Sequence, residues 1–269
     1  MGVRMAGEDS LVTVVTPTTG NICVMQALES VSRQTHRCIQ HLVVSDGVEL
    51  QPELKRQIRQ YNVDLIELPY ATGRDRFNGH RIYGASVFLG KGDFFCFLDE
   101  DNWFDPDHVA ALLELIKGGG KIDWAFSLRK IVDADGSYVC NDDCESLGKW
   151  PSVIADNDFL VDVGCFFLPR SIAVQTAPIW YRKAREPGVP EVDRLLTAIL
   201  RANRPNYDTN SLYTLNYRAG NTALSVRKEF FLQGNERMRR KFNGQLPWRT
   251  RRAEDAPEPV SMDRIAVNQ

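Results

Sequence analysis

Residues 11–117 alternate short apolar runs with stretches of helical periodicity, and this order restricts the chain to few architectures. Leu11–Thr16, His41–Ser45, Asp64–Pro69 and Phe94–Asp99 are rich in Val, Ile, Leu and Phe, as buried strands of a parallel sheet are. Between and after them, apolar residues recur at helical spacing: Val24, Ala27, Leu28 and Val31; Leu54 and Ile58; Ile82, Ala85 and Leu89; Val109, Leu112, Leu113 and Ile116. Asp105-Pro106 reads as an N-cap with proline in the first turn of the last helix, and Gly118-Gly119-Gly120 ends it. Such a β-α-β-α order predicts an α/β fold with a mostly parallel, doubly wound central sheet flanked by helices. Its ligand is expected at the carboxyl ends of the strands.

The second half changes character. Trp124–Asp133, Phe159–Pro169 and Ser211–Arg218 read as longer strands, forming a smaller sheet on the far side of the site. One amphipathic helix carries Val192, Leu195, Leu196, Ile199 and Leu200. No linker separates the halves, so residues 1–250 are expected to be one domain. Residues 11–117 form its first half, 118–225 its second, and 226–250 a basic segment. A charged, proline-containing tail over 251–269 is expected to be disordered. The 43% hydrophobic content and the net charge of −2 exclude a disordered chain and a generally polybasic nucleic-acid binder. No apolar run is long enough to span a bilayer, the start has no secretory h-region, and Ala6 breaks the myristoylation pattern begun by Gly2. The expectation is a cytoplasmic protein. Cys23, Cys96 and Cys165 suit reduced core thiols, and Cys140 with Cys144 lacks the second pair that a zinc site needs.

The chemistry concentrates in Phe97-Leu98-Asp99-Glu100-Asp101-Asn102. An apolar strand running into Asp-x-Asp places two carboxylates on one face if the strand continues, aimed beyond its end. Hard oxygen donors in that position suit Mg²⁺ or Mn²⁺ bridging to a substrate diphosphate, with Asp101 and Asp99 as ligands. Neither a Walker loop nor Gly-x-Gly-x-x-Gly is present. Instead the first strand ends in Thr16-Pro17-Thr18 and the second in Ser45-Asp46-Gly47, which bring hydrogen-bonding groups to the same sheet edge. Asp46 could accept from a base N–H or a ribose hydroxyl. Asp162, Trp150 and Trp180 are weaker candidates for lining a sugar or acceptor site.

From Leu11 to Arg218 the motifs resemble, in order, glycosyltransferase family 2, the inverting nucleotide-sugar transferases of GT-A fold. Val14-Val15-Thr16-Pro17-Thr18 is similar to the family's opening strand. Leu28–Thr35 followed by Val43-Val44-Ser45-Asp46-Gly47 resembles its S-V-x-x-Q-T … V-V-x-D-G stretch. Gly79–Ala85 is similar to a helix start whose arginine, here Arg81, faces the nucleotide diphosphate. Asp99-Glu100-Asp101 matches its Asp-x-Asp, and Glu191-Val192-Asp193 resembles the helix start that carries the catalytic base. The resemblance implies donor contacts from Thr16, Pro17, Thr18, Asp46, Arg81, Asp99 and Glu100. It implies Mn²⁺ or Mg²⁺ on the Asp-x-Asp, a UDP-sugar donor, and Asp193 as general base with Glu191 as the alternative.

Two other readings remain: a GT-A-like binding module without catalysis, and an Asp-x-Asp phosphate-transferring enzyme. The second is disfavoured because the Asp pair follows the fourth strand rather than the first. The acceptor is a hydroxyl of unassigned class: glycan, lipid-linked, small-molecule or nucleic-acid. From Arg227 to Arg252 nine Lys/Arg face two Glu, which offers peripheral contact with an anionic surface, such as a membrane.

Overall fold

The computed structural model describes residues 10–118, 120–182, 191–221 and 225–249. The expected tail over 251–269, the start of the chain with Gly2 and Ala6, Gly119, and Arg251 and Arg252 lie outside the described residues. The first apolar run forms β1 (Val12–Thr18), buried along its whole length. Helix α1 (Val24–Ser32) buries the expected Val24, Ala27, Leu28 and Val31. Strand β2 (Ile39–Ser45), helix α2 (Pro52–Ile58), strand β3 (Val63–Glu67), helix α3 (His80–Leu89) and strand β4 (Phe94–Phe97) follow. These four strands lie side by side in the order β3-β2-β1-β4, all parallel. The chain leaves β1 toward β2 on one side and returns to β4 on the other. The carboxyl ends of β1 and β4 therefore frame the crevice where such sheets bind ligands.

After β4 come the two-residue β5 (Trp103–Phe104), helix α4 (His108–Lys117), β6 (Trp124–Val132), β7 (Tyr138–Asn141) and β8 (Phe166–Pro169). Then follow α5 (Arg170–Thr176), α6 (Val192–Asn203), β9 (Tyr207–Arg218) and α7 (Lys228–Lys241). The later strands do not stand apart as a second layer. β8 pairs antiparallel with β4 and β6, and β9 continues the same sheet beside β6 and β5, giving one nine-stranded sheet. The core is one large cluster around β1, β4, β6 and β8, with a smaller one between α1, α2 and β2.

Two local expectations need correction. The apolar stretch Phe159–Pro169 is strand only over its last four residues. The Asp162 carboxylate accepts from the Gly164 amide at 3.0 Å and caps a 3₁₀ turn at Val163–Cys165. Asp105 does not cap α4, which starts at His108 with Asp107 as its N-cap residue. The Asp105 carboxylate instead accepts from Lys130 Nζ at 2.5 Å and Asn216 Nδ2 at 2.8 Å, tying β5 to β6 and β9. At the other end Gly118 stands at the C-cap, as the glycine run predicts.

Candidate active site

Because β1 pairs with β4, with Val15 beside Phe97, the segments leaving both strands emerge together. Glu100 ties them. Its carboxylate accepts from the Thr18 and Thr19 hydroxyls, both at 2.6 Å, and from the Thr19 amide at 3.1 Å. Thr18 and Glu100 thus hold each other in place. The Thr16 hydroxyl faces the interior and meets His41 Nε2 at 2.9 Å, and Pro17 packs where a side chain on Gly79 would clash.

The two aspartates do not project from strand alternation, which corrects the expectation for this motif. β4 ends at Phe97, and Asp99–Asn102 is a tight turn closed by the Asn102 amide on the Asp99 carbonyl at 3.1 Å. Tyr83 of α3 donates to Asp99 Oδ1 at 2.5 Å, and Asn102 Nδ2 approaches Oδ2 at 3.4 Å. Asn221, just after β9, donates to Asp101 Oδ2, and Arg218 Nε donates to the Asp101 carbonyl at 3.0 Å. Burial raises the Asp99 pKa to about 7, with the neighbouring Asp101 charge adding to it. Asp101 is also raised, by burial first, against the opposing Asn221 hydrogen bond and Arg218 charge. A divalent cation would relieve this cost. Among the described residues no three His, Cys, Asp or Glu side chains are grouped to hold a metal by themselves. Two carboxylates completed by diphosphate oxygens are the donor set Mg²⁺ commonly takes, so these residues fit such an ion.

On the β2 side, Asp46 holds the segment that leads to α3. Its Oδ1 accepts from the Thr72 amide at 2.6 Å and hydroxyl at 2.7 Å, and its Oδ2 from the Gly73 amide at 2.8 Å. Gly47, at φ +66°, lets the chain turn there; a Cβ would lie 1.9 Å from the Ala71 nitrogen. Arg81 Nη1 donates to the Thr72 carbonyl at 3.1 Å, and its guanidinium lies 3.3 Å over the Phe77 ring and 4.6 Å from that of Tyr181. Asp46 and Arg81 are thereby brought to one loop, with their bonds directed into it.

Asp193 lies in the first turn of α6 and Glu191 is that helix's N-cap residue. Asp193 Oδ1 accepts from the Arg194 amide at 2.7 Å. Burial raises its pKa to about 7, and the Asp162 carboxylate is the next cause. The same Asp162 charge acts on Asp99 and Asp101, so the Asp-x-Asp turn and the start of α6 share one electrostatic environment. Asp162 is held by Arg129, a fully buried guanidinium that also bonds Asp142 at 2.7 Å and Glu145 at 2.6 Å and stacks on Tyr217. Glu145 passes the chain on to Arg194 at 2.7 Å, and Arg194 bonds Asp158 at 2.5 Å. Of the aromatic candidates, Trp180 packs against Tyr83 and Phe97, whereas Trp150 makes a tilted contact with Trp248.

Residues 13–154 match the model of glycosyl transferase family 2, more than half of the chain. The chain belongs to that family. Its fold is shared with S. aureus TarS 1-349 (TM-score 0.58, 15% identity, covering 77% of this chain and 60% of that one). The same protein in complex with UDP-GlcNAc aligns at TM-score 0.59 and 14% identity, over 85% of this chain and 65% of that one. A mannosyltransferase, PcManGT from Pyrobaculum calidifontis in complex with GDP-Man and Mn²⁺, aligns at TM-score 0.55 and 11% identity, over 89% and 66%. The chain therefore spans about 60% of the first of these relatives. Curated proteins offer no match to the sequence. In this family 2 chain the sequence reading passed over Tyr83, Arg129, Arg218 and Asn221. Tyr83 lies inside the matched Gly79–Ala85 stretch, but the others reach the site from strands and a loop remote in sequence. Of these, only Arg129, which stands with Lys130 inside the apolar run Trp124–Val132, signals a buried ion pair in advance.

Proposed function

We propose that this protein is a metal-dependent inverting glycosyltransferase that moves a sugar from a nucleotide diphosphate sugar, with UDP as the nucleotide, to an acceptor hydroxyl. The observation that supports the reading is the Asp-x-Asp turn itself: Asp99, held by Tyr83, and Asp101, held by Asn221, emerge beside Thr18 and Glu100 at the paired carboxyl ends of β1 and β4. Family membership and relatives bound to UDP-GlcNAc and GDP-Man support the donor class. Mn²⁺ or Mg²⁺ held by Asp101 and Asp99 would supply Lewis-acid stabilisation of the departing diphosphate. Tyr83, Asn102 and Asn221 orient those two carboxylates, and Thr18 with Glu100 fixes the loop beside them. Thr16 and Pro17 act through the packing of β1, and Asp46 and Arg81 through the loop that closes the nucleotide end.

Asp193 removes the acceptor hydroxyl proton as the oxygen attacks the anomeric carbon on the face opposite the leaving group. The new C–O bond forms, the sugar–phosphate bond breaks, and the nucleotide diphosphate leaves with its electron pair. Glu191, the N-cap residue of α6, is the alternative base. Part of the basic segment is paired within the molecule: Lys228 with Asp133, Arg240 with Glu236, Lys241 with Asp156 and Arg249 with Asp143. Contact with an anionic surface would fall to the exposed Arg237 and Arg239 of α7, and salt-sensitive liposome binding tests it. Among the described residues no helix is long and apolar enough to cross a membrane.

The deciding measurement is a thermal-shift and product-release screen of nucleotide sugars with Mn²⁺. One donor should stabilise the protein only with metal and release nucleotide diphosphate, and Asp101→Ala should abolish both. Equal stabilisation of wild type and Asp101→Ala would reject the metal assignment.

A further inference from the structure

The β2–β3 edge of the sheet is incompletely covered on the α3 face. α3 and α5, with the 3₁₀ turn Ala177–Trp180, pack over β1 and β4. Val44, Ile66 and Leu68 are left lining a cavity of about 620 Å³. That volume falls within the ~300–1,000 Å³ typical of small-molecule sites. Around the cavity, Tyr70, Phe88, Leu89 and Tyr181 are 53–70% exposed, so half of the large exposed hydrophobics among the described residues gather at one opening. Side chains scattered singly need no explanation, but a cluster around a concavity does.

A second, independent observation concerns hydrogen bonding. Arg81 and Trp180 both line the cavity, and Arg81 Nε and Trp180 Nε1 are buried with no hydrogen-bond partner among the described residues. Trp180 is fully buried. Native proteins rarely leave such donors unpaired, and the lining around them is mostly apolar, with Thr72 and Ser86 as the small polar exceptions. Charge points the same way. Of the residues that line the cavity, Arg81 alone carries a charge, and it is positive.

We infer that the cavity binds a single-chain amphiphile, an aliphatic or prenyl chain ended by an oxyanion, with the chain on Val44, Ile66 and Leu68 and the head toward Arg81. A layer of rings separates this site from the Asp-x-Asp turn: Trp180 lies 5.3 Å from Tyr83 and 5.0 Å from Phe97, centroid to centroid. The site shares Arg81 and Thr72 with the loop at the nucleotide end, but binding here needs neither nucleotide nor metal, so its failure would leave the transferase reading standing.

The test is calorimetric titration of the full chain with dodecyl phosphate below its micellar concentration, without nucleotide or metal. One site per chain is expected, with at least tenfold weaker binding by dodecanol and none by inorganic phosphate. Ala85→Trp, an exposed lining position, should weaken binding at least tenfold. Phe88→Ser at the rim provides a second variant should the first fail to fold. No saturable binding, equal affinity for dodecanol, or unchanged affinity in the folded variants would overturn the inference. So would dimerisation of the wild type reversed by Phe88→Ser, since a second copy would then cover the groove.

Discussion

In the proposed mechanism Asp193 supplies the base. At its ordinary carboxylate pKa it would be ionised but weakly basic; burial and Asp162 bring it to about 7, near the optimum for proton removal at neutral pH. Asp193→Asn should lower transfer by ~10²–10⁴-fold while leaving metal-dependent donor binding intact. Full transfer in that variant would remove Asp193 from the mechanism. Only the ionised form accepts a proton, so kcat should fall about tenfold per pH unit below ~7 and level off above it, in rate measurements from pH 5.5 to 8.5. Glu100 differs in kind: its partners are Thr18 and Thr19, so it organises the loop. Glu100→Gln keeps the shape but weakens charge-assisted bonds. It should raise the donor KM several-fold with a smaller change in kcat, as steady-state kinetics would show.

The elements repeat this division between legible and hidden determinants. β1, β2 and β4 are legible because strands buried on both faces are continuous apolar runs, whereas the edge strand β3 is legible through Val63, Leu65 and Ile66 although it is only partly buried. β5 and β7 are not, since two- and four-residue strands carry little periodicity and depend on their partners β9 and β6. Phe159–Pro169 misled for a specific reason: Asp162 interrupts an apolar run and trades strand pairing for a turn cap and an ion pair with Arg129. That pair belongs to the cluster joining β6, the 142–146 segment and, through Glu145, the start of α6. Removing its central cation would strand Asp142, Glu145 and Asp162 together. Arg129→Ala should cost ~3–5 kcal/mol in urea unfolding, and less than 1 kcal/mol would mean the cluster contributes little to stability.

At the scale of the whole molecule, the buried titratable groups oppose one another. Asp99 and Asp193 have folded pKa values near 7, raised by burial, so they favour the native state at low pH and lose that contribution as pH rises through ~7. His41 and His108, lowered by burial to about 3, favour it above pH ~6.5 and lose that contribution as pH falls. These two pairs oppose one another between about pH 4.5 and 6.5. Asp193→Asn takes away one buried charge, so relative to wild type it should gain Tm at pH 8 and lose that gain at pH 5. A pH-independent difference in thermal melts would contradict this. From the sequence alone came the alternation of buried runs and helices, the carboxyl-end placement of Thr18, Asp46 and Asp99, and the helix that begins near Asp193, because periodicity and strand-end motifs are local properties. The turn geometry of Asp99–Asn102, the partners of Asp105 and Glu100, and the Arg129 cluster were decided only by tertiary structure. Each depends on side chains from distant strands meeting in a low-dielectric interior, where a buried charge or donor must take whichever partner the packing brings to it.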